Sequence, residues 1–211
     1  ISITIALFKR HPALTSLILG MVAAAGFAPL NLWPLTLLAF AAWLALVHAA
    51  PTLRAALLCG GAFGWGHLGA ANLWIAQAFT YQDVMPHWLG MPAVALASLY
   101  LALYPMAAAG LLWRFGRGAR PDLGPDLGYA LAAGAAWIAT EWARGTLLTG
   151  YPWPPLATIW LPVLGVAWTA KWVGTYALSG LTVAAAATLI PAARGQWRAA
   201  DVAGAAIMLL A

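Results

Sequence analysis

Residues 140–153 read Thr-Glu-Trp-Ala-Arg-Gly-Thr-Leu-Leu-Thr-Gly-Tyr-Pro-Trp. They place a carboxylate and a guanidinium, Glu141 and Arg144, at the end of an apolar segment, with a loop of Thr, Gly, Pro and aromatics directly after. In a chain with only 7% charged residues, an acid and a base three apart need a reason. Charge beside hydrocarbon is costly unless it is paired or wet, and helical i, i+3 spacing lets the two side chains meet on one face. Two readings stand open. The pair anchors a helix end at a membrane surface, or it belongs to a site that handles a lipid headgroup or a peptide.

The elements that must position this pair are set by composition. The chain is 64% hydrophobic with mean hydropathy +0.85, far above the ~45–50% apolar content of soluble domains. It carries 13 Trp, many beside charged or loop residues, as at membrane interfaces. The expected class is an all-α polytopic membrane protein, one helical domain over residues 1–211. The net charge of +5 does not indicate nucleic acid, because the basic residues fall between apolar spans and not on one stripe. The single Cys59 excludes an internal disulfide. It sits in an apolar stretch and reads as a small buried hydrophobe, since a thiolate there would lack solvation. No cleavable signal peptide is evident.

The apolar pattern predicts about seven transmembrane helices: Leu14–Phe27, Leu32–Ala50, Ala55–Phe79, Met91–Trp113, Leu127–Ala143, Trp172–Ile190 and a seventh from Val202. With a cytoplasmic N-terminus, the inside segments hold Lys9, Arg10, Arg54, Arg114, Arg117, Arg120, Arg194 and Arg198. The outside segments hold Arg144 and Lys171, a bias of eight to two. Leu156–Trp168 is too short and too broken by Pro154, Pro155 and Pro162 to cross. It reads as an interfacial or re-entrant piece that lines a cavity or packs on protein.

The outer segments then collect Asn72, Gln77, Tyr81, Gln82, Asp83 and His87 from one loop, and Glu141, Arg144, Thr149 and Tyr151 from another. His11, His48, His67 and His87 are scattered and read as packed or interfacial residues. No group has metal-ligand spacing, no Gly-rich loop follows a strand, and no nucleophile lies near a base in sequence. Gly60, Gly61, Gly64, Gly66 and Gly69 crowd the third span. They serve close helix packing or open a groove for an acyl chain.

Four stretches resemble the membrane portion of the bacterial apolipoprotein N-acyltransferase family. Gly26-Phe27-Ala28-Pro29-Leu30-Asn31-Leu32-Trp33-Pro34 is similar to its turn between the first two helices. Gly64 to Trp74 resembles its glycine-rich third helix ending in a Trp. Thr140 to Gly145, with Thr149-Gly150-Tyr151-Pro152-Trp153, resembles its most recognisable membrane signature. Gly174 to Ser179 resembles the start of its sixth helix. The resemblance implies lipoprotein maturation in the bacterial inner membrane, with the active side periplasmic. The acyl donor would be a phospholipid, and the acceptor the N-terminal S-diacylglyceryl cysteine of an apolipoprotein. The implied chemistry runs through a thioester on a cysteine, in a Glu–Lys–Cys triad of a nitrilase-like domain that follows the seventh helix.

That triad has no counterpart here, and Cys59, Glu141 and Lys171 lie in other elements. The chain, which starts at Ile1, reads as the inactive membrane fragment of a longer enzyme. The expected lipid- or substrate-facing residues are Trp74, Glu141, Arg144, Thr149, Tyr151 and Trp153, with membrane lipids as further partners. Neither cofactor, metal nor nucleic acid is expected. The loop 81–88 departs from the family's glycine-rich loop. A non-catalytic lipid-binding or transport protein, or a divergent conjugal-transfer paralogue, on the same scaffold is the alternative.

Overall fold

A computed structural model describes residues 10–81, 83–117, 125–148 and 150–193. The described residues are helical and contain no strand. In chain order the helices are α1 Pro12–Ala23, α2 Trp33–Ala49, α3 Leu53–Ala71, the short α4 Trp74–Ala78, α5 Gly90–Leu101, α6 Leu103–Leu111, α7 Leu127–Thr146, α8 Leu164–Ala167, α9 Ala170–Val173 and α10 Thr175–Ala193. A 3-10 turn, Ala24–Gly26, extends α1, another spans Leu156–Trp160, and a π-helical turn, Leu112–Gly116, ends α6.

The helix starts follow from local chemistry. Pro12 and Pro34 occupy first turns, where the missing N–H costs nothing. Thr52 caps α3 by accepting from the Ala55 amide at 3.2 Å, and Asp126 caps α7 by accepting from the Tyr129 amide at 2.8 Å. The expected third span, Ala55–Phe79, does not hold as one helix. It stops at Ala71, and a turn at Asn72 and Leu73 separates it from α4.

α3 is the central element. It packs on α1, on α6 and on α5, while α7 packs on α10 and α6. Glycine makes the tightest approaches possible. A Cβ at Gly20 would collide with the Phe63 carbonyl, and one at Gly66 with the Leu17 carbonyl, so α1 and α3 touch backbone to backbone. The same holds for α7 and α10, where a Cβ at Gly134 would stand 2.7 Å from the Gly180 oxygen.

Between these helices lies an aromatic core. Trp43 stacks on Phe63 with centroids 4.2 Å apart, and Phe40 meets Trp137 edge-on at 5.0 Å. His67 joins this cluster against Phe40 and Phe63, as a packed ring. The Tyr129 hydroxyl donates to the Leu44 carbonyl at 2.7 Å, and Thr36 donates to the Ala23 carbonyl at 2.7 Å. These two hydroxyls are satisfied by backbone, while His67 Nδ1 and Trp137 Nε1 are buried without a hydrogen-bond partner.

The segment His87–Gly116, 30 residues of α5 and α6 with mean hydropathy 1.7, is long and apolar enough to cross a membrane. Pro12–Gly26, Trp33–Ala49 and Thr175–Leu189 are shorter apolar helices. Lys9, Arg120, Arg194, Arg198 and the expected seventh span lie outside the described residues.

Candidate functional site

The last turn of α7 builds the site. Glu141 and Arg144 are both 4% exposed. The i, i+3 spacing brings Arg144 Nη2 to 3.6 Å from Glu141 Oε1. The pair does not face outward. Arg144 Nη1 donates to the carbonyls of Tyr151 at 3.0 Å and Trp153 at 2.8 Å, and Nη2 donates to the Pro154 carbonyl at 3.1 Å. Glu141 Oε1 accepts from the Leu156 amide at 2.9 Å. One acid and one base thus satisfy four backbone groups of a strand-less, proline-broken loop. Such groups would be expensive to bury unpaired, and the fork of donors that spans three carbonyls is available only to Arg.

The loop closes on itself as well. The Tyr151 amide donates to the Arg144 carbonyl at 2.7 Å, and the Gly150 amide to the Leu147 carbonyl at 2.9 Å. Gly150 has φ +68, a left-handed conformation suited to glycine. A Cβ on Gly145 would strike the Tyr176 hydroxyl, so the bare glycine leaves room for the Tyr176 side chain, from the start of α10, to pack against α7. The Ala157 amide donates to Ser179 Oγ at 2.9 Å, and the Tyr151 hydroxyl donates to Asn72 Oδ1 at 2.9 Å. That last bond ties the loop to the end of α3, 79 residues away. Burial pushes the Tyr151 hydroxyl pKa up, with the Arg144 charge opposing the shift.

Beneath the clamp, His67, Tyr104, Trp137, Thr140, Glu141, Arg144 and Pro154 help line a cavity of ≈ 10 Å³, about the room one water needs. Trp137 and Ser179 are polar neighbours of the Glu141 carboxylate. Ser179 is fully buried and its hydroxyl accepts from the Ala157 amide, which helps hold the loop. Cys59 is buried in the core. Among the described residues, no three His, Cys, Asp or Glu side chains are grouped to hold a metal ion.

Of the six expected site residues, the structure joins Glu141, Arg144, Tyr151 and Trp153 in one loop unit. Trp153 gives its carbonyl to Arg144 and is 55% exposed as a residue. Trp74, also more than half exposed, starts α4 two residues after the Asn72 anchor. Thr149 lies outside the described residues. The sequence named Asn72 and Tyr151 but not their bond, and it passed over Ser179 as a partner. Contacts at such separations leave no periodic signal.

These features define an all-helical apolar domain in which one buried acid–base pair organises a loop. The N-terminal domain of apolipoprotein N-acyltransferase, as a family model, matches residues 19–188. The chain belongs to that family. It is 40% identical over 144 residues to the apolipoprotein N-acyltransferase of Ralstonia nicotianae, covering 68% of this chain and 27% of that protein. It is 33% identical over 171 residues to that of Nitrosomonas europaea, with 81% and 33% covered. It is 32% identical over 180 residues to that of Rhodopseudomonas palustris, with 82% and 32% covered. The chain therefore spans a third or less of the length of these relatives.

Proposed function

We propose that this chain is the membrane-embedded portion of an enzyme that moves an acyl chain from a phospholipid to the N-terminal S-diacylglyceryl cysteine of bacterial lipoproteins. The observation that carries the reading is the family match over residues 19–188, which encloses the whole Glu141–Arg144 loop unit. The relatives' shared name supports the acyl transfer. Leu38, Leu58, Leu96 and Leu103 are about half exposed or more on long helices, which supports contact with hydrocarbon. An apolar groove of ≈ 360 Å³ between α1, α3 and α5, lined by Met21, Trp65, Gly69 and Val94 among others, supports contact with a lipid chain.

In this reading about seven helices cross the inner membrane with the N-terminus in the cytoplasm and the loop unit on the periplasmic side. The chain itself supplies no catalytic side chain. Glu141 and Arg144 are positioning residues, which hold the loop that presents Tyr151 and Trp153. Trp74 belongs to the same outer rim. The reaction is assigned to the part of the full-length protein that this chain does not match.

The test is transfer of a labelled acyl chain from phospholipid to a diacylated peptide by the full-length protein. Folded, membrane-inserted protein without transfer would sink the enzyme reading and leave a non-catalytic lipid-binding protein. Single cysteines in place of Arg114 and Leu148, both exposed, test the sidedness. Labelling from outside should reach position 148 and not 114. The reverse pattern would invert the topology.

A further inference from the structure

We infer that residues 161–174 form an in-plane seat on the bilayer surface, with the Lys171 ammonium bound to the phosphate of a phospholipid headgroup. The inference rests on the reading that α10 crosses a bilayer.

The segment is a nearly continuous run of helical turns. The Trp168 amide donates to the Leu164 carbonyl at 2.9 Å, Lys171 to Trp168 at 3.0 Å, Trp172 to Thr169 at 2.9 Å and Gly174 to Ala170 at 2.9 Å. Leu164, Trp168, Lys171 and Trp172 therefore recur at helical spacing and share one face. That face is open. Leu161 is 61% exposed, Leu164 64%, Trp168 69% and Trp172 81%. Adjacent apolar side chains exposed to this degree mark an interaction surface.

Two observations select lipid as the occupant. The first is charge. Lys171 is the only charged residue between 145 and 193, and among the described residues it pairs with no carboxylate. Its Nζ lies 5.8 Å from the Trp172 ring centroid, which holds the cation at the level of an aromatic ring. A lone cation between two exposed tryptophans calls for an anionic group at the boundary of water and hydrocarbon, where a lipid phosphate sits. The second is continuity. Gly174, at φ +87, ends the segment and the apolar helix α10 begins at Thr175. A segment joined directly to a crossing helix lies at the membrane surface.

The test compares the protein, reconstituted in vesicles, with the double variant Trp168→Phe/Trp172→Phe. The difference in emission reports these two rings alone. It should be quenched by lipids brominated high on the acyl chain, more than by lipids brominated near the methyl end, and weakly by aqueous iodide. If iodide quenches the difference signal while brominated lipids quench only the other tryptophans, the seat is overturned and the membrane reading stands. If brominated lipids quench no tryptophan, both fall. Lys171→Gln should abolish the emission shift of these rings between vesicles of a phosphate-free glycolipid and vesicles of phosphatidylglycerol, and Lys171→Arg should keep it. An unchanged shift in Lys171→Gln would remove Lys171 from the proposal.

Discussion

The connection between α7 and α10 has two halves built on opposite principles. Residues 150–160 fold back against the protein. Leu156 and Ile159 are buried to 1% and 0% exposure, and the backbone is satisfied by Arg144, Glu141 and Ser179. Residues 161–174 satisfy their amides by their own helical turns and expose leucine and tryptophan. Irregular backbone is tolerated away from water only where side chains complete its hydrogen bonds. Regular backbone needs no such help and can be pushed out to the surface. The one buried acid–base pair stands where the backbone is irregular.

The contrast ranks the effects of substitution. Arg144→Ala removes the donors to three carbonyls and strands Glu141. It should destabilise by ~3–5 kcal/mol, seen as a lower unfolding midpoint or a loss of folded protein in detergent. Arg144→Lys should recover only part of this, because a single ammonium cannot fork across three carbonyls.

Gly150→Ala should cost less, ~1–3 kcal/mol, from left-handed backbone strain, with the added Cβ 2.7 Å from the Gly145 oxygen. Thermal melts of the purified variant check it. A neutral result would mean that the tight turn is not needed to place Tyr151.

Tyr151→Phe should cost ~1 kcal/mol, since the Asn72 amide loses its partner. Asn72→Ala should cost a comparable amount, and the double variant little more than either single one, because both remove the same bond. Full additivity of the two changes would show that no such coupling exists.

In the exposed half, Leu164→Ser should change the fold's stability in detergent by less than about 0.5 kcal/mol, as surface substitutions do. An effect as large as that of Arg144→Ala would erase the distinction between the halves.

Helix positions in this chain are largely local information. Asp126 before an apolar run marks the start of α7, and Pro34 marks that of α2. The meeting of Glu141 and Arg144 is also local, because it follows from i, i+3 spacing. What they hold is not. The carbonyls of Tyr151, Trp153 and Pro154 become their partners only because the loop folds back, and sequence spacing carries no trace of that. The expected third span overran Asn72 for the same reason. Hydropathy continues through Leu73 and Trp74, while the break at Asn72 accompanies a side chain turned towards Tyr151. The proline-rich segment after Trp153 was legible as irregular. Its division into a buried half and an exposed half depends on α10 and Ser179.

Amide hydrogen exchange across 150–157, compared between the wild type and Arg144→Gln, tests the clamp most directly. The Leu156 amide is held by Glu141 and the Ala157 amide by Ser179, so both report whether the loop stays docked. If Arg144 is the clamp, exchange at these two amides should rise about 100-fold or more, as expected for losing a buried pair worth ~3–5 kcal/mol. The amides of α2 and α3 should stay protected. Unchanged exchange at Leu156 and Ala157 in a folded variant would contradict the account, and would free Arg144 for a role outside the fold.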